Sequence, residues 1–107
     1  MKLDYPYHTP VYSTDNEQVG LAVRWYQRKP GSESLDPNSE ALYLKVIDYR
    51  LGDDIYLPAS IIDERQSAPG KIQLTEKLKR IYKLTLSRIP RFIAYGAYED
   101  VGLAEPA

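Results

Sequence analysis

The sequence predicts a mainly β domain followed by one C-terminal amphipathic helix. Two observations support this fold class: apolar residues recur at every second position in several runs between Val11 and Leu74, and after Thr75 the spacing changes to three and four residues. A chain of this size buries roughly two-thirds of its unfolded surface, which is enough for one hydrophobic core. We therefore expect a single domain.

The sequence pattern of the first 29 residues predicts an extended arm followed by a hairpin. Residues 1–10 contain two prolines and no periodicity. The pair Asp15-Asn16 follows the short apolar run 11–14 and favours a tight turn, since both residues tolerate left-handed backbone. Between residues 18 and 29 the apolar side chains have the period of two of a half-buried strand. They are Val19, Leu21, Val23 and Trp25.

Three further strands are predicted before the helix. Residues 30–39 are polar and rich in turn formers, which indicates a long exposed loop. Residues 41–50 alternate again, with Leu42, Leu44 and Val46 on one phase. A short strand at 55–57 ends at Pro58, which cannot donate to a ladder, and a last strand covers 71–74.

The predicted helix covers residues 76–89 and ends before Pro90. Thr75 is the expected N-cap, and Glu76 lies where the helix dipole favours a negative charge. Leu78, Ile81, Tyr82 and Leu86 have helical spacing. Residues 90–107 are treated as a C-terminal extension without predicted structure.

The composition is that of an ordinary globular protein, with 43% hydrophobic and 27% charged residues and a formal net charge of −1. There is no cysteine, which excludes disulfides and thiolate chemistry and fits a reducing compartment. The ten tyrosines indicate many half-buried aromatic rings, because a buried tyrosine must satisfy its hydroxyl. Without a signal-peptide pattern or a long apolar run, we expect a cytoplasmic protein with no membrane insertion.

Three segments resemble the PRC-barrel family. Residues 11–20, Val-Tyr-Ser-Thr-Asp-Asn-Glu-Gln-Val-Gly, resemble its first hairpin, where an Asp-Gly or Asp-Asn turn precedes Val-Gly or Ile-Gly. Residues 55–62 are similar to its apolar strand leading through Pro into a short turn, and 70–75 occupy the place of its last strand. The family includes the cytoplasmic domain of the photosynthetic reaction centre H subunit and the C-terminal domain of the ribosome maturation factor RimM.

The resemblance covers residues 11–75 and implies a small six-stranded SH3-like barrel that serves as a docking surface, without catalytic residues. The loop at 30–39 and the C-terminal extension depart from the minimal pattern of the family.

The residues themselves point away from an enzyme. His8 is the single histidine, so neither a metal site nor a hydrolytic triad has enough partners. The carboxylate pairs Asp53-Asp54 and Asp63-Glu64 lie in predicted turns, where we expect them to be solvated. There is no glycine-rich phosphate loop. We expect no catalytic residue, cofactor, metal ion or small-molecule substrate.

Two surfaces are candidates for partner binding. Residues 71–91 carry seven basic side chains and one acidic one, whereas residues 1–70 carry seven basic and eleven acidic. Such a helix can attract phosphates or an acidic protein, or can simply cover an acidic end of the domain. Its candidate contact residues are Lys77, Lys79, Arg80 and Lys83.

The second candidate is a tyrosine stripe on the opposite phase of the strands, formed by Tyr26, Tyr43, Tyr49 and Tyr56. Stacked bases, a homodimer contact or a cover by the C-terminal segment would all suit it. The sequence thus predicts a non-catalytic protein-interaction or adaptor module of the PRC-barrel type that self-associates as a homodimer. The alternative is an RNA- or ribosome-associated accessory protein that uses the basic helix.

Overall fold

The computed structural model of the chain describes residues 5–32, 40–48, 52–85 and 89–101. Six strands are present: β1 (Pro10–Tyr12), β2 (Gln18–Arg28), β3 (Leu42–Asp48), β4 (Asp54–Pro58), β5 (Ile72–Gln73) and β6 (Tyr98–Asp100). There are two α-helices, α1 (Leu78–Thr85) and α2 (Arg91–Ala94), and a 3-10 turn at Ala59–Ile61. The mainly β fold class is confirmed.

The sheet is organised around β2. Its strand order is β4-β3-β2-β1-β5, and β6 pairs with β2 beside this path. One edge of β2 is shared, because β1 pairs with its first residues and β6 with its last three. β3 runs antiparallel along the other edge, and β1 and β5 form a parallel pair.

The described strands form an open sheet and do not close into the expected barrel. β4 and β5 lie at opposite ends of the strand order, and they approach each other through an isolated bridge between Ile62 and Leu74. Beside it the Asp63 N–H donates to the Gln73 carbonyl at 2.8 Å. Closure stops there because Pro58 cannot extend the ladder of β4 and β5 is only two residues long.

The alternation predicted for the second strand is interrupted by two β-bulges. The register of β2 shifts against β1 near its start and against β3 between Ala22 and Arg24. A bulge inserts one residue on one strand and so changes which side chains face the core. Ala22 and Trp25 are fully buried, while Leu21, predicted on the core phase, is only partly buried.

The main core lies on one face of the sheet, against α1. Leu44 and Val46 of β3 are fully buried, as their alternation predicts, and Ile81 of α1 joins them. The other buried members of this cluster are Tyr5, Val11, Val19, Ala22, Trp25, Ile55, Leu57, Ala59, Ile61, Ile62, Ile72 and Leu74.

Helix α1 begins at Leu78, later than the sequence pattern predicts, and its N-terminus is capped from a distance. The Leu78 N–H donates to Asp15 Oδ1 at 3.2 Å, and the Ser13 hydroxyl donates to the same oxygen. The prediction of Thr75 as the N-cap was therefore wrong. The turn between β1 and β2 brings Asp15 to the helix end, and no local pattern shows this.

The C-terminal extension contains two elements for which no prediction was made. Residues 86–88, at the end of the predicted helix, lie outside the described residues. Pro90 precedes the short helix α2, and residues 95–97 then lead into β6, which returns the chain to the edge of β2.

Candidate functional site

Three of the basic residues predicted to bind a partner, Lys79, Arg80 and Lys83, lie on α1, and Lys77 immediately precedes it. Ile81 and Thr85 are buried on the inner side of the helix, which turns the basic residues towards solvent. A shallow, open groove of about 220 Å³ is lined, within the described residues, by Lys77, Lys79, Arg80 and Lys83. We call it the basic groove.

The charge of the basic groove is only partly balanced. The pKa of Asp15 is lowered by the hydrogen bond from Ser13, and also by the Leu78 N–H and the charge of Lys77. Within the part of the chain that the structure describes, no carboxylate forms an ion pair with Lys79, Arg80 or Lys83. Within the described residues, the groove therefore carries more positive than negative charge.

Three of the four predicted tyrosines lie on neighbouring strands, on the face of the sheet opposite the main core. Tyr26 of β2 pairs with Tyr43 of β3, and the ring of Tyr56 on β4 lies 6.0 Å from that of Tyr26, centroid to centroid. We call these three residues the tyrosine face. Tyr49 lies outside the described residues.

The C-terminal segment packs on the tyrosine face. Phe92 and Ile93 of α2 form a second apolar cluster with Tyr26, which is only 4% exposed. The Phe92 ring lies 5.9 Å from that of Tyr43, and Tyr98 of β6 meets Tyr26 edge-on at 4.6 Å. Of the three uses that the sequence left open, a cover by the C-terminal segment is the one this structure contains.

Two cations lie beside the tyrosines, and sequence reasoning did not select them. Arg24 donates Nε and Nη2 to the two carboxylate oxygens of Asp100, both at 2.5 Å, and this bond raises the pKa of Arg24. Its guanidinium carbon is 5.4 Å from the centroid of the Tyr26 ring. The one sequence feature that pointed to Arg24 was the alternation of the strand, which places it on the same side as Tyr26.

Lys45 is the second of these cations and lies 3.3 Å from Asp54 across β3 and β4. Burial disfavours its charge, but Tyr26 and the hydrogen bond to Asp54 outweigh this effect, and the pKa of Lys45 is raised. Burial also raises the pKa of the Tyr56 hydroxyl, which Lys45 only partly offsets. The outer face of the sheet thus combines rings, hydroxyls and fixed cations.

Two of the remaining titratable candidates, His8 and Asp63, make local contacts. The ring of His8 stacks on Tyr7 at 3.8 Å, and its backbone N–H donates to the Ala22 carbonyl. Asp63 Oδ1 accepts the N–H groups of Arg65 and Gln66, as in a local turn. Within the described ranges, no group of three or more His, Cys, Asp and Glu side chains could hold a metal ion.

No protein-family model, no curated protein and no solved structure matches the chain. Within the described segments, none of the helices has the length and apolar character needed to cross a membrane.

Proposed function

We propose that the protein is a non-catalytic docking module of the PRC-barrel type, an adaptor that binds an acidic segment of a partner protein in the basic groove. The observation that carries this proposal is that four basic side chains line one groove, three of them without a carboxylate partner among the described residues.

The groove is suited to docking because its support is rigid. Ile81 anchors α1 in the main core, and Asp15 holds its first turn. The stems of lysine and arginine provide apolar contact, and their charged ends stay in water. Complementary charge steers association and favours acidic partners over basic ones.

RNA binding is the alternative that the same cations support. α1 has eight residues and is about 12 Å long, so the groove spans only a short stretch of phosphates. The first 70 residues carry more acidic than basic side chains and would repel a long polyanion that extends past the helix. These two features favour an acidic protein segment over RNA.

The proposed kinship with SH3-like barrels is supported by the strand order and by the isolated bridge between Ile62 and Leu74, where the two ends of the open sheet approach each other. Self-association as a homodimer is supported by two large apolar side chains beside α2, Ile89 at 47% and Tyr95 at 70% exposure. Light scattering at high protein concentration tests the dimer, and a monomeric mass there would contradict it.

The docking proposal is tested by fluorescence anisotropy with two labelled probes, a poly-glutamate peptide and a single-stranded RNA of equal charge. The variant K79E/K83E reverses two cations of the groove, and K29E/R65E reverses two exposed cations elsewhere. We expect roughly tenfold weaker peptide binding for the first variant at low salt, since each exposed charge contributes modestly, and less than a twofold change for the control.

Equal losses in the two variants would contradict a specific groove. Tighter binding of RNA than of peptide at physiological salt, with a steep salt dependence that K79E/K83E reduces, would favour the RNA alternative.

A further inference from the structure

The strand β6 occupies the edge of β2 in the way a bound peptide would. It pairs antiparallel with the last three residues of β2, in the register Tyr26 to Asp100, Gln27 to Glu99 and Arg28 to Tyr98. Within the described sheet its one strand partner is β2. Arg24 lies on the part of β2 that pairs with neither β1 nor β6, between the residues that pair with each of them.

Alternate side chains of β6 are recognised by β2. Tyr98 and Asp100 are two residues apart and therefore point to the same face. Tyr98 packs edge-on against Tyr26, and Asp100 accepts both hydrogen bonds of the Arg24 guanidinium, which lies 5.9 Å from the centroid of the Tyr98 ring. Glu99, between them, is exposed.

This combination of a main-chain ladder with contacts to every second side chain is how strand-addition sites bind extended peptides. The main anchors of the C-terminal segment lie outside the strand, at the buried Phe92 and Ile93 and at Val101, which packs against the main core, and the strand itself makes few contacts. β6 is three residues long, and the side chains of Arg24 and Asp100 remain 39% and 49% exposed. Exposed ion pairs contribute little to stability. A partner strand with the same pattern could therefore compete.

We infer that the edge of β2 at Tyr26–Arg28 is a strand-acceptor site for an extended segment of a partner protein, with an aromatic residue at its first position and Asp at its third. β6 is the built-in competitor for this site. The inference does not depend on the basic groove.

The test uses the full chain with a labelled peptide of residues 95–101. The variant D100R places a second guanidinium against that of Arg24 and weakens β6 in its own site. E99R makes the same charge change on the exposed side of the strand and is the matched control. We expect D100R to bind the peptide at least fivefold more tightly than the wild type or E99R does.

A charge reversal makes the test independent of a general loosening of the fold. R24E also repels Asp100, but its site should reject the natural peptide and bind one in which Arg replaces Asp100. Circular dichroism checks that each variant is folded, and light scattering checks that it keeps the oligomeric state of the wild type.

Two outcomes would overturn the inference. One is a folded D100R that does not bind the natural peptide, together with an R24E that does not prefer the Arg peptide. The other is a stable dimer formed on mixing R24E with D100R without any peptide binding, since the occupant would then be the strand of a second copy.

Discussion

The two faces of the sheet are built from different side chains. The core face is aliphatic around Trp25 and is buried beneath α1. The tyrosine face combines hydroxylated rings with Arg24 and Lys45, and its cover is a four-residue helix and a three-residue strand. We expect stability to come mainly from the core face, because the elements that cover the outer face are short.

The largest predicted difference in stability between the two faces is tested at two neighbouring residues of β3. L44A removes a fully buried side chain from the core face and should lower the free energy of unfolding by about 3 kcal/mol, because it leaves a cavity. Y43A, on the outer face, should cost about 1 kcal/mol. Urea unfolding followed by circular dichroism measures both, and equal losses would contradict the difference between the faces.

The second prediction tests how closely β2 and β3 approach. A Cβ atom on Gly20 would lie 1.8 Å from the Ile47 carbonyl oxygen, so G20A must push the strands apart. We expect a loss of about 2 kcal/mol from this overpacking. G70A is the control, because a Cβ there meets nothing within 4 Å, and it should change stability by less than about 0.5 kcal/mol. A neutral G20A would show that the strands lie further apart.

The third prediction concerns the cap that ties α1 to the turn between β1 and β2. The pKa of Asp15 is lower in the folded chain than its ordinary value of 3.8. Its stabilising contribution is therefore complete above pH 3.8 and is lost as the pH falls through the folded pKa. The melting temperature of the wild type should fall more steeply than that of D15N as the pH drops below about 3.8. If the melting temperatures of the wild type and D15N fell in parallel with pH, the ionised Asp15 would not stabilise α1.

The smallest expected effect lies on the outer face. A double-mutant cycle with R24A and D100A should give a coupling of about 0.5 kcal/mol, since the pair is exposed to solvent. The coupling should shrink in about 1 M salt, where charges are screened over about 3 Å. A coupling above about 2 kcal/mol would mean that β6 is locked in place, and would weaken the case for a strand-acceptor site.

Local patterns predicted the parts of the fold that depend on near neighbours. The alternation of β3 placed Leu44 and Val46 in the core, and Pro58 ended β4 as expected. Asn16 adopts a φ of 60°, in agreement with the predicted tight turn. For β2 the same alternation predicted the wrong core phase at Leu21, because its two bulges arise from pairing with β1 and β3.

The candidate sites also differ in whether their residues are close together or far apart in the sequence. The basic groove is lined by four cations on and just before α1, and their spacing along the sequence is enough to bring them together. The contact between Arg24 and Asp100 joins residues separated by 76 positions, and no spacing rule connects them. The cover of Tyr26 by Phe92 likewise depends on where the C-terminal segment returns.

By itself, the sequence determined the mainly β class, the tight turn at Asn16 and the concentration of positive charge on α1. These depend on backbone preferences and on side chains a few residues apart. Only the tertiary structure decided that Asp15 caps α1, that the sheet stays open and that β6 pairs with the edge of β2. Each of these depends on contacts between distant segments, and their geometry is set by bulges and strand ends that local periodicity does not encode.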